Sequence, residues 1–143
     1  MEKLLISSCL LGNECKYSGG SNRLPDGVLA ALREKYTLIP VCPETAGGLP
    51  IPREPSVGAR VLSRSGRDVT AEYALGAQTA EALARRFGCK KALLKANSPS
   101  CGTGQIYDGT FSGTLIPGDG MAAEHLRAMG VAVYSEKETG ALL

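Results

Sequence analysis

Short aliphatic runs alternate with helix-patterned segments along this chain, and that alternation leaves few folds open to it. Residues 3–8 are mostly apolar and read as a short buried strand, broken by Cys9-Leu10-Leu11-Gly12. Residues 12–26 lack periodicity and read as loop. From Pro25, a residue suited to a first helical turn, Val28, Leu29, Leu32 and Tyr36 recur at helical spacing. Residues 37–41 predict a second buried strand. Residues 42–55, with their prolines and glycines, predict a loop, and 59–69 predict a hairpin with Arg64-Ser65-Gly66 at its tip. The clearest helix covers 70–87. Thr70 can cap it, Glu72 lies near the positive end of its dipole, and Gly88 ends it. Tyr73, Ala77, Ala80, Leu83, Ala84 and Phe87 give it one apolar face. Residues 91–96 predict a third strand, 97–105 a loop, and 106–111 a second hairpin around Asp108-Gly109. A helix over 119–129 closed by Gly130, a fourth strand over 131–134 and a short C-terminal helix complete the chain. Strands separated by helices read as βαβ units. The expected fold is therefore α/β: a single domain over 1–143, with a parallel sheet of about four strands flanked by helices and small hairpin insertions.

A length of 143 residues matches one such domain. Sixteen basic against fourteen acidic side chains leave a formal charge of +2, which disfavours a strongly electrostatic nucleic-acid binder. No apolar run approaches the roughly 18 residues that span a bilayer. Residues 1–6 are too few for a signal-peptide core and carry no cleavage pattern, so a cytoplasmic protein without a membrane partner is expected. In a reducing compartment, the odd count of five cysteines argues against a disulfide framework and toward metal binding or catalysis.

The cysteines gain meaning from the expected topology. Cys9 lies just past the first strand, Cys42 just past the second, and Cys101 a few residues past the third. In a parallel sheet these strands end on one edge, which is where ligands bind in open α/β folds. Cysteine also packs as a small hydrophobe, and for one strand-end thiol that is the better explanation. For three, each in a loop rich in Gly, Pro or Ser, a shared site is favoured. Structural zinc commonly uses paired Cys-x-x-Cys knuckles, and none exists here. Iron–sulfur clusters use cysteine thiolates, usually four; a four-iron cluster on three would leave one iron open, the mark of catalysis. Cys15 is either a fourth ligand or a packing residue beside Lys16 and Tyr17, with packing preferred. Cys89, between a helix end and a strand, reads as a buried inert thiol.

The same loops hold polar groups. Glu44 stands two residues after Cys42; partly buried near a cluster, it would have a raised pKa and move protons, whereas without a cluster it is an ordinary turn carboxylate. Ser98 and Ser100, before Cys101, either orient a substrate or bond their own turn. Lys16 and Arg23 lie in a glycine-rich loop suited to covering a pocket, without a Walker or dinucleotide pattern. The sole histidine, His125, is flanked by Glu124 and Arg127 on a helix and reads as a surface residue.

Four blocks occur in order: Ser8-Cys9-Leu10-Leu11-Gly12; Pro40-Val41-Cys42-Pro43-Glu44 with Gly47-Gly48-Leu49-Pro50 and Pro52-Arg53; Gly66-Arg67-Asp68-Val69-Thr70; and Ser98-Pro99-Ser100-Cys101-Gly102 with Ile106-Tyr107-Asp108-Gly109. On these blocks the chain resembles a small bacterial family whose characterised members are thiouracil desulfidases, and the resemblance runs from Leu4 to about Glu136. It implies a [4Fe-4S] cluster held by Cys9, Cys42 and Cys101, with the fourth iron open to the sulfur of a thiolated uracil. It also implies an assisting glutamate, matched by Glu44, and an assisting serine, for which Ser98 is the choice and Ser100 stands second. Relatives acting on thiouridine in tRNA carry an extra domain that this chain lacks, so a free base or nucleoside is the expected substrate and thiouridine-containing RNA is secondary.

The reading that follows is an enzyme that removes sulfur from a thiolated pyrimidine by hydrolysis, without redox chemistry. Its rival is an iron–sulfur or sulfide carrier without turnover, which needs the same cysteines but no proton shuttle. Thiol redox chemistry is disfavoured for want of a Cys-x-x-Cys pair. A homodimer is the commonest closed assembly for such a chain.

Overall fold

Four parallel strands, in the spatial order Tyr36–Val41, Glu2–Ser7, Lys91–Leu94 and Ala132–Ser135, form the sheet on which everything else is hung. The structure is a computed structural model and describes residues 1–14, 19–49, 56–57, 61–63, 65–96, 100–102, 105–107 and 115–143. In chain order the elements are β1 (Glu2–Ser7), a 3-10 turn (Ser8–Leu11), α1 (Asp26–Lys35), β2 (Tyr36–Val41), α2 (Pro43–Ala46), β3 (Ser56–Val57), β4 (Leu62–Ser63) and α3 (Thr70–Phe87). They continue with β5 (Lys91–Leu94), β6 (Gln105–Tyr107), β7 (Leu115–Pro117), α4 (Met121–Ala128), β8 (Ala132–Ser135) and a C-terminal 3-10 segment (Glu136–Ala141).

β1 is central, and its continuous apolar run follows from that position. Leu4, Leu5 and Ile6 are fully buried because a parallel sheet is covered on both faces. Successive side chains point to opposite faces. Leu4 and Ile6 accordingly pack with Leu29 and Leu32 of α1, Tyr36 and Leu142, whereas Leu5 packs with Ala77, Ala80 and Ala84 of α3 and Ala122, Ala123 and Leu126 of α4. The alanines let α3 and α4 approach each other closely over one face. On the other, the Tyr36 hydroxyl donates to the Leu142 carbonyl at 2.8 Å and ties down the C-terminal segment.

The expected sheet, its parallel sense and its flanking helices are all present, and α3 has the predicted bounds, ended by Gly88 at φ 65°. Several local expectations need correction. Residues 42–55 are not all loop: α2 starts directly after Cys42, with Pro43 at its first turn. Pro25 stands at the N-cap of α1, just before the first turn. Thr70 does not cap α3 but is its first helical residue; its hydroxyl accepts from the Val61 amide at 2.9 Å, and the Asp68 carboxylate accepts from the Thr70 amide at 3.0 Å. The predicted hairpin over 59–69 is present: the Ser63 amide donates to the Arg67 carbonyl at 2.8 Å, the Val69 amide to the Val61 carbonyl at 2.9 Å, and the Gly66 amide to the Ser63 carbonyl at 2.8 Å; β4 pairs in addition with β3, upstream of it. The second hairpin also exists, with β6 pairing β7; its return strand lies beyond residue 111, and Asp108-Gly109 lies outside the described residues.

Candidate functional site

The rim at the C-terminal edge of the sheet is built from three strand exits. Cys9 stands in the 3-10 turn that follows β1, where the chain must leave the sheet abruptly. Gly12 closes the turn at φ 102°, a left-handed conformation that glycine takes readily. The Cys9 carbonyl accepts from the Asn22 amide at 2.9 Å, so the returning loop is fastened to the turn itself. The Cys9 side chain is buried.

Cys42 follows β2 and is the N-cap of α2. Its carbonyl accepts from the Ala46 amide at 2.9 Å and the Thr45 hydroxyl at 3.1 Å, which sets the chain direction at the cysteine. The side chain is half-buried, and so is Glu44 in the first turn of α2. Two glycines bring this short helix against α3. A Cβ on Gly76 would lie 1.9 Å from the Pro43 carbonyl oxygen, and one on Gly47 would lie 1.9 Å from the Glu72 carbonyl oxygen. Backbone thus rests on backbone, and the position of Cys42 and Glu44 is set by α3.

Cys101 is buried in a turn whose carbonyls face the start of α4. The Ser100 carbonyl accepts from the Ala122 and Ala123 amides at 2.8 and 3.1 Å, and the Gly102 carbonyl from the Gly120 amide at 2.7 Å. The first amides of a helix have no partner within it, and here the Cys101 turn supplies one. Ser100 is fully buried in that turn. Ser98, the preferred assisting serine, and Cys15, the optional fourth ligand, lie outside the described residues, as does Lys16.

These exits meet electrostatically. Burial pushes the Cys101 thiol well above the ordinary thiol range; a hydrogen bond from Ser7 opposes this, and Cys9, Glu44 and Cys42 all add to the rise. Cys9, Cys42 and Glu44 thus lie within electrostatic reach of the buried Cys101 thiol, and a cation bound among such groups displaces protons from its ligands. Among the described residues no three His, Cys, Asp or Glu side chains are grouped to hold a single metal ion. The thiol donor set suits instead a polynuclear iron–sulfur cluster, whose ligands are spread over separate irons. Cys9, Cys42, Cys89 and Cys101 are all free of disulfide bonds. Cys89 is buried, and its thiol is pushed up by burial, opposed by Lys3, in line with an inert core thiol.

A cavity of about 450 Å³ opens beside Cys42, with Ser8, Asn13, Pro40, Thr45 and Thr79 in its wall. Among the described residues Cys42 is the one candidate that lines it; Cys9, Cys101 and Glu44 do not.

Three arrangements escaped the sequence reading. Ser7 bonds Cys101 directly, its hydroxyl lying 3.3 Å from Sγ. A serine after the apolar run Leu4-Leu5-Ile6 leaves only a turn-like mark in the sequence. Glu136 accepts from Lys95 Nζ at 2.9 Å and from the Ala96 amide at 2.8 Å, fixing the chain where it leaves β5 toward residue 100. His125 is half-buried and bonds Glu81 of α3 through Nδ1, which corrects its reading as a plain surface residue. Arg23 is paired with Asp26.

Fold and rim together define a class: parallel α/β proteins with cysteines at separate strand exits along the ligand-binding edge. The chain belongs to the 2-thiouracil desulfurase family, whose model matches residues 4–138. It is 40% identical to the uncharacterized protein YbbK of Bacillus subtilis (strain 168), over 98% of this chain and 99% of that one. Among solved structures it is similar to the [4Fe-4S]-dependent thiouracil desulfidase TudS (DUF523Vcz), with a TM-score of 0.94 and 43% identity over 99% of this chain and 95% of that one. Among the described residues, no helix is long and apolar enough to cross a membrane.

Proposed function

We propose that this protein is a [4Fe-4S]-dependent desulfidase that hydrolyses a thiolated uracil, as free base or nucleoside, to uracil and sulfide. The observation that carries the reading is the fit of the 2-thiouracil desulfurase family model over residues 4–138, with Cys9, Cys42 and Glu44 each within electrostatic reach of the buried Cys101 thiol. Membership of the 2-thiouracil desulfurase family and the likeness to TudS support it. Cys9, Cys42 and Cys101 hold the cluster. When bound, the cluster supplies a thiophilic Lewis acid at an iron without a protein ligand.

The chain's own groups do the rest. Replacement of C=S by C=O consumes one water and releases hydrogen sulfide, so protons must leave the water and reach the departing sulfur. The Glu44 carboxylate takes and returns them, a task for a group close to the attacked carbon. Ser98 and Ser100 orient the pyrimidine. The remainder of 1–143 serves as one domain that holds these loops, and the protein acts in the cytoplasm.

The test is anaerobic reconstitution followed by iron and sulfide analysis and assay with 2-thiouracil. The expected result is about four irons per chain, with uracil and sulfide released in equal amounts. Iron-free protein after reconstitution refutes the cluster. A loaded protein that passes sulfide on without forming uracil identifies a carrier instead.

A further inference from the structure

The geometry points to Ser7 as a positioning residue that holds Cys101 through its sulfur and raises the reduction potential of the cluster bound there. The inference rests on the proposed cluster but concerns a different residue and a different observable. Ser7 is the last residue of β1, in register with Val41 at the exit of β2. Its side chain lies on the same face as that of Leu5, two residues earlier. It is buried, with 2% of its surface exposed, so its hydroxyl has no recourse to bulk water.

Both of its partners are fixed by the sheet. The Lys95 amide, one residue past β5, donates to Ser7 Oγ at 3.1 Å. An amide can only donate, so it occupies a lone pair of the oxygen and leaves the hydroxyl hydrogen for the second partner. That partner is Cys101 Sγ, at 3.3 Å. The result is a directed chain, amide to hydroxyl to sulfur, in which each bond polarises the next. It links the exits of β1 and β5 and ends on the buried thiol of the site.

A hydrogen bond to a ligand sulfur draws negative charge away from a cluster and favours its reduced form, and it also slows dissociation of that ligand. A bond to a charged sulfur in a buried site should be worth at least about tenfold in cluster retention.

The experiment compares unaltered protein, Ser7→Ala and Ser7→Thr after anaerobic reconstitution. Iron and sulfide content is read first, then the reduction potential, then the rate of iron loss to a chelator. Ser7→Ala should shift the potential to more negative values and lose iron at least about tenfold faster, while Ser7→Thr, which keeps the hydroxyl, restores both. Equal potentials and equal loss rates in loaded Ser7→Ala overturn the role of Ser7 while leaving the cluster intact. An unaltered protein that takes up no cluster overturns the proposed function itself, a separate failure. The unaltered protein also provides an arm that survives misfolding of Ser7→Ala: transfer to D₂O should shift its iron–cysteine stretching bands in resonance Raman spectra, and bands that do not move overturn the proposal.

Discussion

Gly76→Ala should damage the site without touching a single candidate ligand. The added methyl would lie 1.9 Å from the Pro43 carbonyl oxygen and 2.6 Å from the Pro43 carbonyl carbon. An ordinary carbon–oxygen contact is about 3.3 Å, so α2 and α3 must part by roughly 1.4 Å. Neither side can yield by rotating a side chain, because the obstructing atoms are backbone. Overpacking of this kind costs about 1–3 kcal/mol. Alanine returns up to about 1 kcal/mol through its better helix propensity. The net loss should be about 1–2 kcal/mol, or a fall in Tm of about 3–8 °C for a chain of this size. Pro43 is bonded to Cys42, so the displacement passes straight into the rim. A misplacement near 1 Å in a catalytic group can cost about a hundredfold in rate, and thiouracil turnover should fall by that order. Thermal melts of the cluster-free protein, iron content after reconstitution and turnover are the three measurements. Gly27→Ala is the control: its Cβ would meet nothing within 4 Å, and it should match the parent or gain up to about 1 kcal/mol. A Gly76→Ala protein that melts at or above the parent and turns over normally would refute the claim that α3 positions Cys42.

Cys9→Ser, Cys42→Ser and Cys101→Ser should each lose the cluster, measured as iron per chain, whereas Cys89→Ser should keep it, because Cys89 is packed in the core with its thiol pushed up by burial. Glu44→Gln should load normally yet turn over at least about a hundredfold more slowly, since loss of a general acid–base group costs about 10²–10⁴-fold; near-normal turnover of the loaded variant would move the proton work elsewhere. Leu142→Ala should cost about 2–3 kcal/mol in chemical denaturation, because Leu142 is fully buried against Leu29, Leu32 and Tyr36, and a stability change below that range would mean the terminal segment packs more loosely than the structure has it.

What the sequence disclosed and what it hid follow from where each signal resides. The sheet was legible because strands covered on both faces must be continuously apolar, as Leu4-Leu5-Ile6 and Ala92-Leu93-Leu94 are. α3 was legible because its period is long and a glycine closes it. α2 was not: four residues give no period to read, and Pro43 with the nearby glycines resembles a loop. Those glycines serve the contact with α3, a tertiary fact absent from the local pattern. The capping of α3 was misread because Thr70 turns its hydroxyl to Val61, again a partner set by the fold. Among the candidate site residues, Cys9, Cys42 and Cys101 could be assigned to one edge through topology, since a parallel sheet sends its strand exits to one edge. Ser7 was not, because a serine ending a strand looks like a turn residue until its partners Lys95 and Cys101 are brought beside it.

The turn that carries Cys101 is held by amides of Gly120, Ala122 and Ala123, at the start of α4. This has a consequence during synthesis. Proteins leave the ribosome N-terminus first. On the proposed ligand set, Cys9 and Cys42 emerge early but have no fixed third companion until α4 has also cleared the exit tunnel and docked. A short metal-binding knuckle can capture its ion while still nascent; a site spread over three crossovers cannot, because widely separated segments must first be closed together. On that ligand set, iron delivery to this protein is thus expected to follow release of the chain through α4, and the acceptor recognised by an assembly factor would be the folded apoprotein.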